Sequence, residues 1–306
     1  MRVVFAGTPE VALPSLERLA ASRHELVGVI SRPDAPAGRS KRPVPSPVAA
    51  WAQAHGIPLL RPDRPRGDEF VAALEALAPD CCPVVAYGAL IPAPVLAVPR
   101  HGWVNVHFSL LPAYRGAAPV QRAILAGEPS TGITLFDLVP ALDAGPVYRR
   151  ETFPLGNEET SGDVLERLAV RGAELLGEVL DALADGTAIA EPQPEDGVSL
   201  APKLTVAEAR LAWGDAAIAL DRRIRACNPS PMAWTTLDGE RFRVPAARPA
   251  PDRGLAPGEF LAERRGVLVG TGEGSLELLS VQPAGRRAMA AADWGRGLAA
   301  PSGRFA

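Results

Sequence analysis

The sequence predicts an α/β domain built on a mainly parallel sheet, followed by a small β-barrel domain. Three observations carry that reading. Short apolar runs alternate with helix-spaced segments through the first 183 residues, the pattern of repeated strand–helix–strand units. A polar stretch rich in Pro and Gly, residues 185–202, interrupts the alternation. Beyond it, short strand-like runs separated by Gly, Pro and Asp turns take over, at the spacing of a small barrel.

Taken in order, Val3-Val4-Phe5-Ala6 reads as a strand stopped by Gly7-Thr8-Pro9, with helical spacing over residues 11–21. Residues 26–30 form a second strand. The loop over residues 32–47, rich in Pro, Arg and Gly, is too long for an ordinary connection. Further strands are expected at 58–60, 84–86 and 104–106, and helices at 70–77 and 119–125. A central strand does not tolerate proline, so Pro83 puts the start of the 84–86 strand at Val84. A strand at 147–155 leads into a long helix at 160–183. In that helix Val164, Leu165, Leu168, Leu175, Leu176 and Val179 make one apolar face, with Ser161 as the cap. A helix at 216–226 and strands at 233–237, 241–244, 266–269 and 276–281 complete the barrel. The chain of 306 residues thus divides into a domain over 1–189, a linker over 190–207 and a domain over 208–306.

Apolar residues at 47% and charged residues at 22% exclude disorder of the whole chain. No uncharged apolar run reaches the ~18–20 residues of a bilayer span. Glu10, Glu17 and Arg18 interrupt any signal-peptide core, so a cytoplasmic protein with no membrane partner is expected. Cys81, Cys82 and Cys227 suit neither a disulfide framework nor a zinc site, and no metal is expected. Residues 1–205 carry 18 basic and 24 acidic side chains, net −6, whereas residues 206–306 carry 14 and 11, net +3. That split points the C-terminal part toward an anionic partner.

Of the four histidines, His107 stands apart because it closes the strand Trp103-Val104-Asn105-Val106-His107. Successive strand residues alternate faces, so Asn105 and His107 share one side. Two polar groups at a strand end in an α/β sheet sit where such folds bind ligands. Alone, the pair reads as readily as two hydrogen-bonded polar residues, and Asp143 before Gly145 reads as a turn residue.

Their surroundings add weight. Ser109-Leu110-Leu111-Pro112 follows His107 directly, then Tyr114-Arg115-Gly116-Ala117-Ala118-Pro119, and Leu142-Asp143-Ala144-Gly145 lies about 36 residues after His107. In this order the motifs resemble the formyltetrahydrofolate-dependent formyltransferases, whose signature is Asn-x-His-x-Ser-Leu-Leu-Pro followed by a Leu-Asp-x-Gly loop. The resemblance spans nearly the whole chain. It takes in Phe5-Ala6-Gly7-Thr8-Pro9, Val85-Ala86-Tyr87-Gly88, Arg225-Ala226-Cys227-Asn228-Pro229 and Gln282-Pro283-Ala284-Gly285-Arg286-Arg287-Ala288-Met289. It implies a Rossmann-like formyltransferase domain followed by an OB-like β-barrel. The implied reaction moves the formyl group of 10-formyltetrahydrofolate to the methionyl α-amine of charged initiator tRNA. The alternative acceptor is an amine on a sugar or nucleotide. A nicotinamide dehydrogenase is disfavoured because Gly7 stands alone after the first strand. A non-catalytic RNA-binding protein gives no reason for Asn105, His107 and Asp143 together.

Moving a formyl group between two nitrogens requires a tetrahedral intermediate and a relayed proton. Asn105 can donate its amide to the oxyanion; losing one such donor typically costs ~2.7–4 kcal/mol of barrier. His107, with an ordinary pKa of ~6.5, can take and return the proton. Asp143 would orient the imidazole and favour its charged form, or hold a relaying water. By resemblance, Ser109, Leu110, Leu111 and Pro112 line the folate site, with Tyr87 and Gly88 in a second loop nearby. Resemblance likewise implies that Arg39, Lys41 and Arg42 reach the tRNA acceptor stem and that Lys203 lies beside the bound tRNA. The positive barrel would track the RNA backbone, and a monomer is expected. Phe108, Ala144 and Pro146 depart from the family pattern: a small residue is usual before Ser109, and Thr and Asp often flank the Asp-x-Gly loop.

Overall fold

The computed structural model describes residues 1–36, 42–264 and 266–306. They form two compact units. The first holds residues 1–119, 131–153 and 165–202; the second holds 120–130, 154–164 and 203–306.

The first unit is organised by a seven-stranded sheet in the order Leu59–Leu60, Glu25–Ile30, Arg2–Gly7, Val84–Val85, Val104–His107, Ser130–Asp137 and Val147–Pro154. The first five run parallel. Val3, Val4, Phe5 and Ala6 are fully buried, as a parallel strand covered on both faces requires. The Val84 start agrees with the position of Pro83, whose carbonyl accepts from the Ala6 amide at 2.8 Å. Ser130–Asp137 runs antiparallel to Val104–His107, with Val106 opposite Leu135 and His107 opposite Thr134. This strand was not anticipated, because Ser130, Thr131 and Gly132 dilute its apolar signal, yet residues 131–136 are all buried.

Within the 32–47 loop, Ala35 pairs with Val44 and Pro36 with Pro43; Arg39 and Lys41 lie outside the described residues. The loop ends in a helix, Pro47–Ala54, where Ser46 caps by accepting from the Ala49 amide and Pro47 occupies the first turn. The long helix Ser161–Ala184 is capped by Thr160 rather than Ser161. Asp163 accepts from the Thr160 amide and hydroxyl while its own amide donates to Thr160 Oγ1, a reciprocal capping box. The Ser161 hydroxyl instead donates to the Asn228 carbonyl.

The second unit carries an antiparallel sheet in the order Trp234–Leu237, Glu240–Ala250, Ser275–Gln282, Gly266–Gly270, Glu259–Glu263 and Ser302–Arg304. It curls until its two ends meet: Thr236 and Ala306 exchange backbone hydrogen bonds of 3.3 and 3.0 Å. Glu259–Glu263 and Ser302–Arg304 escaped the sequence pattern, being short and rich in charge. Inside the curl, Trp213, Phe242, Phe260, Trp294 and Phe305 stack or tilt on one another with ring centroids 4.8–6.1 Å apart, the offset geometry aromatic rings prefer. The three cysteines are free and buried. Burial pushes the Cys81 thiol up to about 12 and the Cys227 thiol up to about 11, and holds Cys82 well above its ordinary value.

Candidate active site

His107 ends its strand with the side chain almost wholly enclosed, 5% exposed. Its Nε2 donates to the Tyr114 carbonyl at 2.9 Å. A carbonyl can only accept, so this bond fixes the neutral tautomer with the proton on Nε2 and a lone pair on Nδ1. Nδ1 faces Asp143 Oδ2 at 3.8 Å. That gap is wider than a hydrogen bond, so Nδ1 is held beside a carboxylate but not committed to it. Burial pushes the imidazole below its ordinary pKa; the Asp143 charge and the Tyr114 carbonyl push it back up. The Phe136 ring meets the imidazole edge-on, centroids 6.3 Å apart.

Asp143 is itself anchored, since Oδ2 accepts from the Gly116 amide at 2.7 Å. Both loops that supply partners to His107 use left-handed backbone, Tyr114 at φ +60° and Asp143 at φ +46°, conformations that are unfavourable for residues with a side chain. Two glycines make room. A Cβ at Gly145 would run into the Asp137 carbonyl, and one at Gly116 would lie 2.7 Å from the Ala201 carbonyl. Asn105 is half-buried two residues before His107, between Val104 and Val106, both buried. The structure therefore brings His107 and Asp143 together, with Asn105 on the same strand.

The Ser109–Pro112 stretch is tied down from inside. Ser109 Oγ donates to the Ala113 carbonyl at 2.7 Å, Thr134 Oγ1 donates to the Ser109 carbonyl at 2.6 Å, and the Leu111 amide donates to Thr134 Oγ1 at 3.1 Å. Leu111 packs with Phe136 and Val147, whereas Leu110 and Pro112 stay half-exposed. Tyr87 is buried in the apolar core and its carbonyl accepts from Thr8 Oγ1 at 2.8 Å. Gly88, by contrast, lines a cleft of about 550 Å³ with Arg32, Asp63, Leu90, Pro92 and Pro140, a volume suited to a small-molecule ligand. Arg42 and Lys203 are exposed. Sequence reasoning missed Thr134, Gln193 and Ser199, which organise the loops around His107. Their strand and segment carried no legible signal.

Residues 1–180 match the formyl transferase family, and residues 203–299 match its C-terminal domain. The chain belongs to the formyl transferase family. A methionyl-tRNA formyltransferase of Salinispora tropica is 58% identical over 304 residues, covering 99% of both chains. Among solved structures, HypX from Aquifex aeolicus in complex with tetrahydrofolic acid superposes with a TM-score of 0.68 at 20% identity. That match covers 96% of this chain and 47% of the other. An N-formyltransferase from Helicobacter canadensis gives 0.67 at 15% identity, covering 92% and 98%. These two likenesses speak for the fold, a mixed α/β domain followed by a curled antiparallel sheet. The sequence relatives speak for the formyl transfer.

Proposed function

We propose that this formyltransferase carries the formyl group of 10-formyltetrahydrofolate to the methionyl α-amine of charged initiator tRNA through Asn105, His107 and Asp143. Relatives named methionyl-tRNA formyltransferase, 54–59% identical over nearly the full length, support that acceptor over a sugar or nucleotide amine. The observation that carries the mechanism is the imidazole's fixed tautomer. With Nε2 spent on the Tyr114 carbonyl, Nδ1 is the atom that can take a proton.

The methionyl nitrogen attacks the formyl carbon, a new C–N bond forms, and the carbonyl electrons move to oxygen. The Asn105 amide donates to that oxyanion. The proton released by the attacking nitrogen passes to His107 Nδ1, where Asp143, anchored by the Gly116 amide, faces the imidazolium. The bond to the folate nitrogen then breaks, the carbonyl re-forms, and the proton goes to the departing nitrogen. His107 ends neutral and ready for another cycle.

The residues present suit a folate. The half-exposed Leu110 and Pro112 and the cleft at Gly88 offer apolar surface with charged groups at the margin. Ser109, Leu111 and Tyr87 act through the backbone and packing that shape these walls. In the same reading Arg39, Lys41, Arg42 and Lys203 contact tRNA phosphates, and the enzyme works as a cytoplasmic monomer with a catalytic domain over 1–189, a connector over 190–207 and a tRNA platform over 208–306. The test is a formylation assay with 10-formyltetrahydrofolate on charged initiator tRNA, charged elongator tRNA and free methionine. Strong preference for the initiator is the expected result. Equal rates on all three would sink the acceptor assignment.

A further inference from the structure

Residues 191–201 read from composition as a solvated connector, yet they are stitched to both loops that face His107. Glu191 and Val147 exchange backbone hydrogen bonds of 2.7 and 2.9 Å. Gln193 Nε2 donates to the Asp143 carbonyl at 2.8 Å and the Gly145 carbonyl at 2.9 Å, while its Oε1 accepts from Arg115 Nη2 at 2.6 Å. Two carbonyls on one side and a guanidinium on the other leave a single amide orientation possible. Further along, the Tyr114 amide donates to Ser199 Oγ at 2.8 Å and the Arg115 amide to the Ser199 carbonyl at 2.8 Å. The Ala201 amide then donates to the Arg115 carbonyl at 2.7 Å.

We propose that Gln193 and Ser199 are positioning residues that fix the two acceptors flanking the His107 imidazole. The Ser199 hydroxyl holds the amide of Tyr114, the residue whose carbonyl receives Nε2–H, and Gln193 holds the backbone that carries the Asp143 carboxylate. Tyr114 and Asp143 both sit in left-handed backbone, which relaxes toward commoner conformations unless its surroundings determine it. Releasing either loop moves an acceptor away from a buried ring, and misplacement by about 1 Å costs on the order of 10²-fold in rate. The inference rests on His107 as the proton carrier. Asp143 is the charged group that bears on the ring, so the pH profile reports the geometry directly.

The experiment compares full-length Ser199→Ala, Ser199→Thr and Gln193→Glu enzymes with a His107→Gln control, using methionyl-tRNA and 10-formyltetrahydrofolate. Ser199→Ala removes the acceptor for the Tyr114 amide. Gln193→Glu keeps the shape and the Arg115 contact but cannot donate to the two carbonyls. Both should lose about 10- to 100-fold in kcat, with KM for either substrate and the melting temperature nearly unchanged. The acid limb of kcat/KM should move to lower pH, because an imidazole whose acceptors drift keeps the effect of burial and loses what offsets it. Ser199→Thr, which retains a hydroxyl, should restore rate and limb. Wild-type kcat and pH profile in Ser199→Ala and Gln193→Glu, with His107→Gln inactive, overturn the positioning role alone. Wild-type turnover in His107→Gln overturns the proton-carrier reading and this inference with it. If Gln193→Glu does not fold, the Ser199 pair decides.

Discussion

The surroundings of His107 and the aromatic interior of the second unit are held together by opposite means. Around His107 the loops are held by directed hydrogen bonds involving Tyr114, Gly116, Thr134, Gln193 and Ser199. Some of the backbone so held is unfavourable in itself, at Tyr114 and Asp143. In the second unit Trp213, Phe242, Phe260, Trp294 and Phe305 fill the curl with ring against ring, a gain that scales mainly with buried apolar area. The difference separates two kinds of damage. A change near His107 should alter a protonation equilibrium and leave the fold standing; a change among the rings should weaken the fold and leave protonation alone.

The largest effect that tests this contrast is loss of the reacting groups. His107→Ala should lower kcat by about 10²–10⁴ and Asn105→Ala by about 10²–10³, with melting temperatures close to wild type. Steady-state formylation beside thermal unfolding checks both. Turnover within a few fold of wild type in either variant breaks the mechanism. Next, Phe242→Ala should destabilise by about 3–5 kcal/mol, since a fully enclosed ring is replaced by a void. Denaturant titration reads the loss, and the acid limb of activity should not move. A shifted limb would mean the two regions are not separable in this way.

Asp143→Asn should reduce kcat by about 10²-fold and move the acid limb of kcat/KM downward. The sign follows from the balance at the ring. Burial lowers the His107 pKa and the carboxylate raises it; with the carboxylate gone burial acts alone, and the neutral base survives to more acidic pH. An upward or absent shift would leave Asp143 as a turn residue. The smallest expected effect comes from Lys41→Ala with Arg42→Ala. It should cut kcat/KM for methionyl-tRNA and flatten the slope of log affinity against log salt by ~1–2, at ~0.7–0.9 per phosphate contact. Direct titration should find folate binding unchanged. An unchanged slope removes these side chains from the tRNA interface.

A strand of contiguous apolar residues was legible in the sequence, as at Val3–Ala6, because burial on two faces leaves no room for polar side chains. Ser130–Asp137 was not, since its polar start hides a strand whose partner is set by tertiary pairing. Asn105, His107 and Asp143 could be singled out because the roles proposed for them fall on side chains and motif order marks them. Tyr114, Gly116, Gln193 and Ser199 contribute through backbone groups or through bonds to backbone, and such groups leave little trace in residue type. Segment 191–201 misled for the same reason: Pro and Gly signal an irregular path, and an irregular path can still be hydrogen-bonded along its length. At the long helix, choosing Ser161 over Thr160 as cap was a one-residue slip that only the Asp163 partner resolves.

The three enclosed cysteines bear on how this enzyme meets oxidants and alkylating reagents. A thiol reacts as its thiolate, and with Cys81 pushed up to about 12 and Cys227 up to about 11, the thiolate fraction near neutral pH falls to about 10⁻⁴ or below. Cys82 sits well above its ordinary value too. Alkylation of the three thiols by maleimide should therefore be slow in the folded chain, so that none needs replacing before a reporter is attached. A single cysteine introduced at an exposed position, such as Ala35 in the 32–47 loop, should take up a fluorophore in preference to the three enclosed thiols, and its signal on adding tRNA would test whether that loop meets the RNA.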